Sequence, residues 1–468
     1  MRRYTSTGPS SRLVAAVTNL QQGVLSVQRC SSATETPAAA TTTTASAATP
    51  SSSSSKKQSS SAASPSQQVH KLSSNVGDAS TLIVEDVPYS MLSNWAFKVV
   101  HARRYLLPAI VGGVAYTTLP SLVAAGTLST MHCVTMACVF AVIQRLSVRG
   151  AANSIQKDLR GTNYIVTGGT SGIGLAVAEQ LLRMGASVCI VSKPGKEAAT
   201  TKYLISNGAP PEAIQQQVSF VNADFSDQAE VALAIQKLKQ KYPSGFNGLV
   251  NCAGVFTEVP KATKQNVEEH IAINFLAPFH LTEGLLPIIR KASGARIVYV
   301  TCAAHHGVRR NNVVQQRMTL MPTPDGRSLT SRCYSASKLG NIFHAKNLAN
   351  RRYEGVSFGD QSKESKLRPF SVCTVDPGTA NTNLDRSVEP FLGRSGIAQA
   401  FRSLYGKDSY EASQTIMKCL LQDSIENGGH YYECRLTPSG ISRMANSPRE
   451  MEDVCKWAKH KLDRFMGA

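Results

Sequence analysis

The stretch YSASKLGNIFHAKNLA puts Tyr334 and Lys338 four residues apart in a segment of helical character, so the phenol and the ammonium share one face. A free phenol ionises at a pH of about 10. A neighbouring ammonium favours the phenolate and lowers that value. Tyr334 can then exchange a proton with an alcohol or carbonyl oxygen near neutral pH. Taken alone, a Tyr-x-x-x-Lys pair is common by chance and is usually a surface pair. Its worth comes from company. Upstream, RIVYVTCAAHHG reads as a buried strand handing over to a loop, with Cys302 at the point where the strand ends.

The elements that must position these groups are legible as a pattern. Strands are expected at 163–168, 187–192, 217–223, 248–253, 295–302, 370–376 and 430–434, each nearly continuous in apolar residues. Amphipathic helical patterns separate most of them, such as Ile173, Val177, Leu181 and Leu182 after the first strand. Such strands belong to a mostly parallel sheet covered on both faces. The expected fold is therefore α/β, a doubly wound Rossmann-type domain with seven strands.

The first strand runs into TGGTSGIG, with Gly168, Thr170, Ser171, Gly172, Ile173 and Gly174 where the chain turns into a helix. Glycine lets the backbone approach a pyrophosphate, and the helix N-terminus supplies N–H groups and a positive dipole end. An acid at the end of the second strand would bind a ribose 2′-hydroxyl. Here stand Ser192 and Lys193, with Lys196 beyond, a set suited to a 2′-phosphate. NADP(H) is the expected cofactor.

With these motifs in order, the sequence resembles the short-chain dehydrogenase/reductase family from residue 161 to about 460. TGGTSGIG is similar to its cofactor loop. NCAG is similar to its Asn-Asn-Ala-Gly segment, which implies cofactor contacts at Asn251, Ala253 and Gly254, with Cys252 for the second Asn. The resemblance implies that Asp224 contacts adenine and that Asn274 holds a proton-relay water. It also implies that Pro377, Gly378 and Thr382 lie beside the nicotinamide. Tyr334 and Lys338 then serve both catalysis and cofactor binding. AAHHG, YSASKLGN and GGHYYEC look most like the retinol-dehydrogenase-like branch, whose members often carry membrane anchors and handle lipophilic substrates.

In that family the residue ending the fifth strand is a serine whose hydroxyl holds the substrate oxygen. Cys302 occupies that position here, unless a local shift turns Thr301 inward. Adjacent strand residues point to opposite faces, so the two cannot both serve. A thiol is a weaker donor than a hydroxyl. Beside Lys338 and an oxidised nicotinamide it is also expected to have a low pKa and to oxidise reversibly.

The 468 residues carry a formal charge of +19 and eleven cysteines. Residues 1–160 hold 14 Lys/Arg against 5 Asp/Glu, and the rest hold 36 against 26. With no basic run and no aromatic–basic interleaving, the excess argues for a membrane surface or anionic cofactor and against nucleic acid. No cysteine spacing fits a metal, and no metal is expected. Cys189, Cys252 and Cys373 read as small buried hydrophobes.

Residues 1–34 contain four arginines, no acid and an apolar helical face, the pattern of a mitochondrial targeting segment. Residues 35–90 read as a low-complexity linker. Residues 91–150 hold an uncharged stretch, Tyr105–Gln144, long enough for one span or for two short helices turning near Leu119–Pro120. Arginines at both ends favour a hairpin. Residues 151–468 are the Rossmann-type domain. Two readings follow. One is a membrane-associated oxidoreductase for lipophilic alcohols or carbonyls, at the mitochondrial or alternatively the endoplasmic-reticulum membrane, with room for a homodimer. The other is a catalytically weak NADP(H)-binding sensor or scaffold that has lost the serine.

Overall fold

The computed structural model describes residues 111–466 apart from 116, 127–128, 208–210, 258, 260, 310, 321–326, 352–368 and 382–402. The expected targeting segment, the linker and Thr382 lie outside the described residues. Two apolar helices come first, α1 (Val111–Ala124) and α2 (Thr130–Arg149). The turn between them contains Gly126 at φ 71°, a conformation glycine adopts without strain, and not Leu119–Pro120 as expected.

Next come β1 (Asn163–Thr167), α3 (Gly172–Arg183), β2 (Ser187–Ser192), α4 (Glu197–Ser206), α5 (Pro211–Gln217) and β3 (Val218–Asn222). The chain continues through α6 (Gln228–Lys241) and β4 (Gly248–Asn251) to the long helix α7 (Glu269–Ile289). Then follow β5 (Arg296–Val300), α8 (Arg327–Asn350), β6 (Ser371–Asp376) and α9 (Ser409–Leu421). Last are β7 (His430–Tyr432), β8 (Arg435–Leu436) and α10 (Pro448–Met466).

The sheet order is β3-β2-β1-β4-β5-β6-β7-β8. All seven expected strands are present and parallel. The eighth is a two-residue strand that returns antiparallel on β7. Its turn is too short for the hydrophobic pattern to register. One core packs α6 and α7 against one sheet face, around Ile165, Val231, Leu285 and Tyr299. A second packs α3 and α9 on the other, around Val166, Leu181, Val298 and Ile416. Burial on both faces is why β1, β4 and β5 are apolar throughout their centres. The order reverses between β1 and β4, and ligands of such sheets bind at the carboxyl ends of the strands there.

α7 is apolar and long enough to cross a membrane, but it is mostly buried in the domain and is a core helix. α2 is the opposite case: it is equally apolar and almost wholly exposed. The compact unit to which the Rossmann domain belongs begins at Val87 and so includes both apolar helices.

Candidate active site

At the switch point a cavity of about 730 Å³ opens over the strand ends. Gly168, Thr170, Ser171, Gly172, Ile173 and Gly174 line one end, and Cys302, Tyr334 and Lys338 line the other. The glycines are there for space. Gly168 has φ 68°, and a Cβ on it would sit 2.9 Å from Ala253 Cα. A Cβ on Gly174 would sit 2.6 Å from the Gly168 carbonyl oxygen, so α3 could not start so close to β1. Ser171, the N-cap of α3, makes no side-chain capping bond. The turn thus presents N–H donors and a helix dipole to the cavity. Thr167, which the motif contained but the sequence reading left unassigned, ties the two strand ends together. Its Oγ1 accepts from the N–H groups of Cys252 and Ala253 at 3.0 Å each.

At the reactive end, Cys302 Sγ lies 3.5 Å from Tyr334 Oη and donates to it. Thr301 also borders the cavity, but its hydroxyl is engaged elsewhere, donating to the Lys338 carbonyl at 3.0 Å. The pleat therefore places the thiol, not the threonine hydroxyl, beside the Tyr334 phenol. Lys338 Nζ lies 5.5 Å from the Tyr334 ring centre and donates to the Val300 carbonyl at 3.3 Å. The expected low pKa of Cys302 is overturned. Burial pushes the thiol above its ordinary value, outweighing the Lys338 ammonium. Cys252 also departs from expectation. It is only partly buried, packing against the second core on one side and lining the cavity on the other, and burial raises its pKa to about 12.

Asn274 sits on a single π-helical turn within α7, Ala272–Leu276. Its side chain is a clip. Oδ1 accepts from Val255 N at 2.8 Å, and Nδ2 donates to the Val255 carbonyl at 3.0 Å and to Ser337 Oγ at 3.3 Å. It joins the loop after β4 to the Tyr334 helix. Asn341 donates to the Asn274 carbonyl at 2.9 Å.

The structure does not bring every candidate to the cavity. Ser192, Lys193, Ala253, Gly254, Pro377 and Gly378 line it. Asn251 does not; its amide donates to Thr282 at 3.0 Å. Asp224 does not either; its carboxylate accepts from Ser226 and lies 3.0 Å from Lys193 Nζ. Partial burial alone would raise the Asp224 pKa, but the Ser226 bonds and the Lys193 ammonium hold it below the usual range. Lys196 does line the cavity.

An aromatic wall was missed in the sequence. Phe256 packs edge-on to Tyr334 at 4.9 Å, and His270 does so at 5.9 Å. His270 is fully buried, donates from Nδ1 to Glu268 at 2.6 Å and accepts from Thr257 N at 3.0 Å. The only sequence signal was Glu268 as an N-cap ahead of α7, which accepts from the N–H groups of His270 and Ile271.

His305 and His306 are satisfied by backbone. His305 Nδ1 donates to the Cys302 carbonyl at 2.6 Å, and Ser442 N donates to His305 Nε2 at 3.1 Å. The second bond requires a neutral ring, since a protonated Nε2 cannot accept. Among the described residues no cluster could hold a metal ion. Burial depresses the His305 pKa to about 3. Below a pH of about 6.5 the unfolded chain binds a proton there that the folded chain refuses, so stability falls as pH falls through that window. For one proton the slope is about 1.4 kcal/mol per pH unit. Urea denaturation at a series of acidic pH values should show a slope shallower by that amount in His305→Gln; an unchanged slope would refute it.

A family model for the short chain dehydrogenase matches residues 162–313, which span the glycine turn and the strand bearing Cys302. Over these residues the chain matches the short-chain dehydrogenase/reductase family. Members of this family are oxidoreductases that bind a nicotinamide cofactor. Retinol dehydrogenase 14 of Mus musculus is 28% identical over 287 residues, 59% of this chain and 79% of that protein. Polyprenol dehydrogenase of Homo sapiens is 27% identical over 57% of this chain and 75% of that protein. Retinol dehydrogenase 11 of Homo sapiens is 27% identical over 64% and 85%. The similarity is thus to the retinol-dehydrogenase-like branch of that family.

Proposed function

We propose that this chain is a membrane-associated, NADP(H)-dependent oxidoreductase acting on a lipophilic alcohol or carbonyl. The observation that carries the reading is the convergence of the Cys302 thiol, the Tyr334 phenol and the Lys338 ammonium at one end of a cavity whose other end is an uncapped glycine turn. The residues fit the cofactor: α3 would take the pyrophosphate, and Ser192, Lys193 and Lys196 the 2′-phosphate. The bound nicotinamide would supply or accept the hydride.

The chain's own groups handle the oxygen and the proton. Cys302 Sγ–H turns from Tyr334 to the substrate oxygen and holds it. Tyr334 gives its proton to that oxygen in reduction and takes it back in oxidation. The Lys338 ammonium stabilises the phenolate left behind and holds the nicotinamide ribose. Asn274 keeps the loop after β4 in register with the Tyr334 helix, and a second lone pair on its carbonyl serves the relay water. Phe256 and the other apolar lining residues suit a lipophilic substrate, as do relatives named for retinol and polyprenol.

The exposed apolar faces of α1 and α2 support membrane anchoring, and residues 1–34 support a mitochondrial address over the endoplasmic reticulum. The second reading, a nucleotide-binding sensor, draws on the weak thiol donor. The test is NADPH consumption by the full chain in vesicles against retinoid, steroid and long-chain carbonyls. Turnover of at least one is expected. Tight NADPH binding without turnover of any would leave the sensor reading.

A further inference from the structure

We infer that the surface formed by Thr379–Asn381 and Tyr410 rests on lipid headgroups, so that the cavity opens toward the bilayer. This rests on the proposed membrane anchor and adds the orientation of the site to it. The last turns of α2 are docked on the domain. Gln144 and Val148 are buried, and Arg145 Nη2 donates to both carboxylate oxygens of Glu411 at 2.8 Å. Arg149 Nε lies 3.6 Å from the same carboxylate, and Asp408 lies 3.8 Å from Arg145. Glu411 is itself fixed, since with Asp408 it forms the capping box of α9.

The other side of the same turns is apolar and open. Val139, Val142, Ile143 and Leu146 follow helical spacing, and Ile143 and Leu146 are each 61% exposed. This stripe reaches past Arg145, so lipid that covers it reaches the level at which the domain is held. Tyr410 stands between Asp408 and Glu411 in the chain, in the first turn of the helix that Arg145 holds, and is 55% exposed. Tyrosine is enriched where bilayers meet water.

The Lys407 side chain lies between the end of α2 and the cavity residue Gly378. Lys407 is buried, and a Cβ added to Gly150, just after α2, would sit 2.8 Å from its ammonium. A Cβ added to Gly378, a cavity residue, would sit 3.4 Å from the same atom. Lys407 N donates to the Thr379 carbonyl, and Asn381 N donates to the Lys407 carbonyl, both at 2.8 Å. The exposed lip around Ala380 and the end of the anchor helix therefore share one edge. A long apolar substrate would reach Tyr334 from the bilayer without crossing bulk water.

The experiment uses the full chain in phosphatidylcholine vesicles containing lipids brominated on the acyl carbons nearest the headgroup. A Tyr410→Trp variant is compared with its parent, which accounts for Trp95 and Trp457. The added fluorescence should be quenched. Adding Arg145→Ala and Arg149→Ala should remove most of the quenching while the chain still floats with the vesicles. Exchanging the charges, Arg145→Glu with Glu411→Arg, should restore it. The same arginine variants should lower kcat/KM for a bilayer-dissolved long-chain alcohol about tenfold, as expected when an anchored geometry is lost. They should not change it for a short, water-soluble homologue. A floating chain with unquenched fluorescence at position 410 would overturn the inference and leave the anchor intact. Quenching that survives loss of both arginines would overturn the role of the Arg145–Glu411 contact. A chain that does not float would overturn the anchor and the inference together.

Discussion

Tyr334→Phe will abolish turnover, and Cys302→Ala will lower kcat by up to about 10²–10³-fold, the loss typical of removing one donor to a developing oxyanion. Tyr334 is the phenol in the cavity that Cys302 touches, at 3.5 Å, and among the described residues no second phenol lines that cavity. Cys302→Ser should preserve or raise turnover, because a hydroxyl is the better donor and burial holds the thiol protonated at neutral pH. The measurement is steady-state kcat and KM for the three variants with one accepted substrate. If the wild type is inactive and Cys302→Ser turns over, the chain is a nucleotide-binding protein whose chemistry was lost at this one atom. If all three variants match the wild type, the reactive centre lies elsewhere.

The second large effect concerns the choice of dinucleotide. NADPH should bind more tightly than NADH, and Lys196→Glu should weaken NADPH by about tenfold to a hundredfold, since a hydrogen bond to a charged group contributes about 1.5–3 kcal/mol. NADH affinity should change little. Lys193 is a more complicated case than its position suggests, because Asp224 holds its ammonium at 3.0 Å. The carboxylate competes with a 2′-phosphate for that charge. Asp224→Asn should therefore increase the preference for NADPH. Fluorescence titration of both cofactors decides it; equal affinities in the wild type would remove the NADP assignment.

Some of this protein was fixed by local rules. A strand buried on both faces has to be apolar at nearly every position, so the seven parallel strands were legible to within a residue or two. The glycine turn was legible because only a residue without a Cβ fits between β1, Ala253 and the start of α3. Tyr334 and Lys338 shared a face because helical spacing puts i and i+4 together wherever the helix goes. None of these depends on a distant partner.

The rest depended on partners far away in the chain. Whether Thr301 or Cys302 turns to Tyr334 follows from the pleat at the end of β5, which the Val375 and Lys338 carbonyls fix by accepting bonds from Thr301. The Asn251 amide nitrogen turned to Thr282 and the Asp224 carboxylate to Lys193, partners supplied by distant segments. The high pKa of Cys302 reflects burial by several elements at once, a sum that its neighbours Thr301 and Ala303 could not announce. The turn between β7 and β8 places Glu433 and Cys434 at positive φ, which their residue types do not favour. Arg145 and Glu411 stand 266 residues apart, and only the packing of α2 on α9 makes them a pair. Sequence patterns record what a residue does with its neighbours along the chain; charge pairing, burial and the aim of a side chain are settled between segments, once the sheet has brought them together.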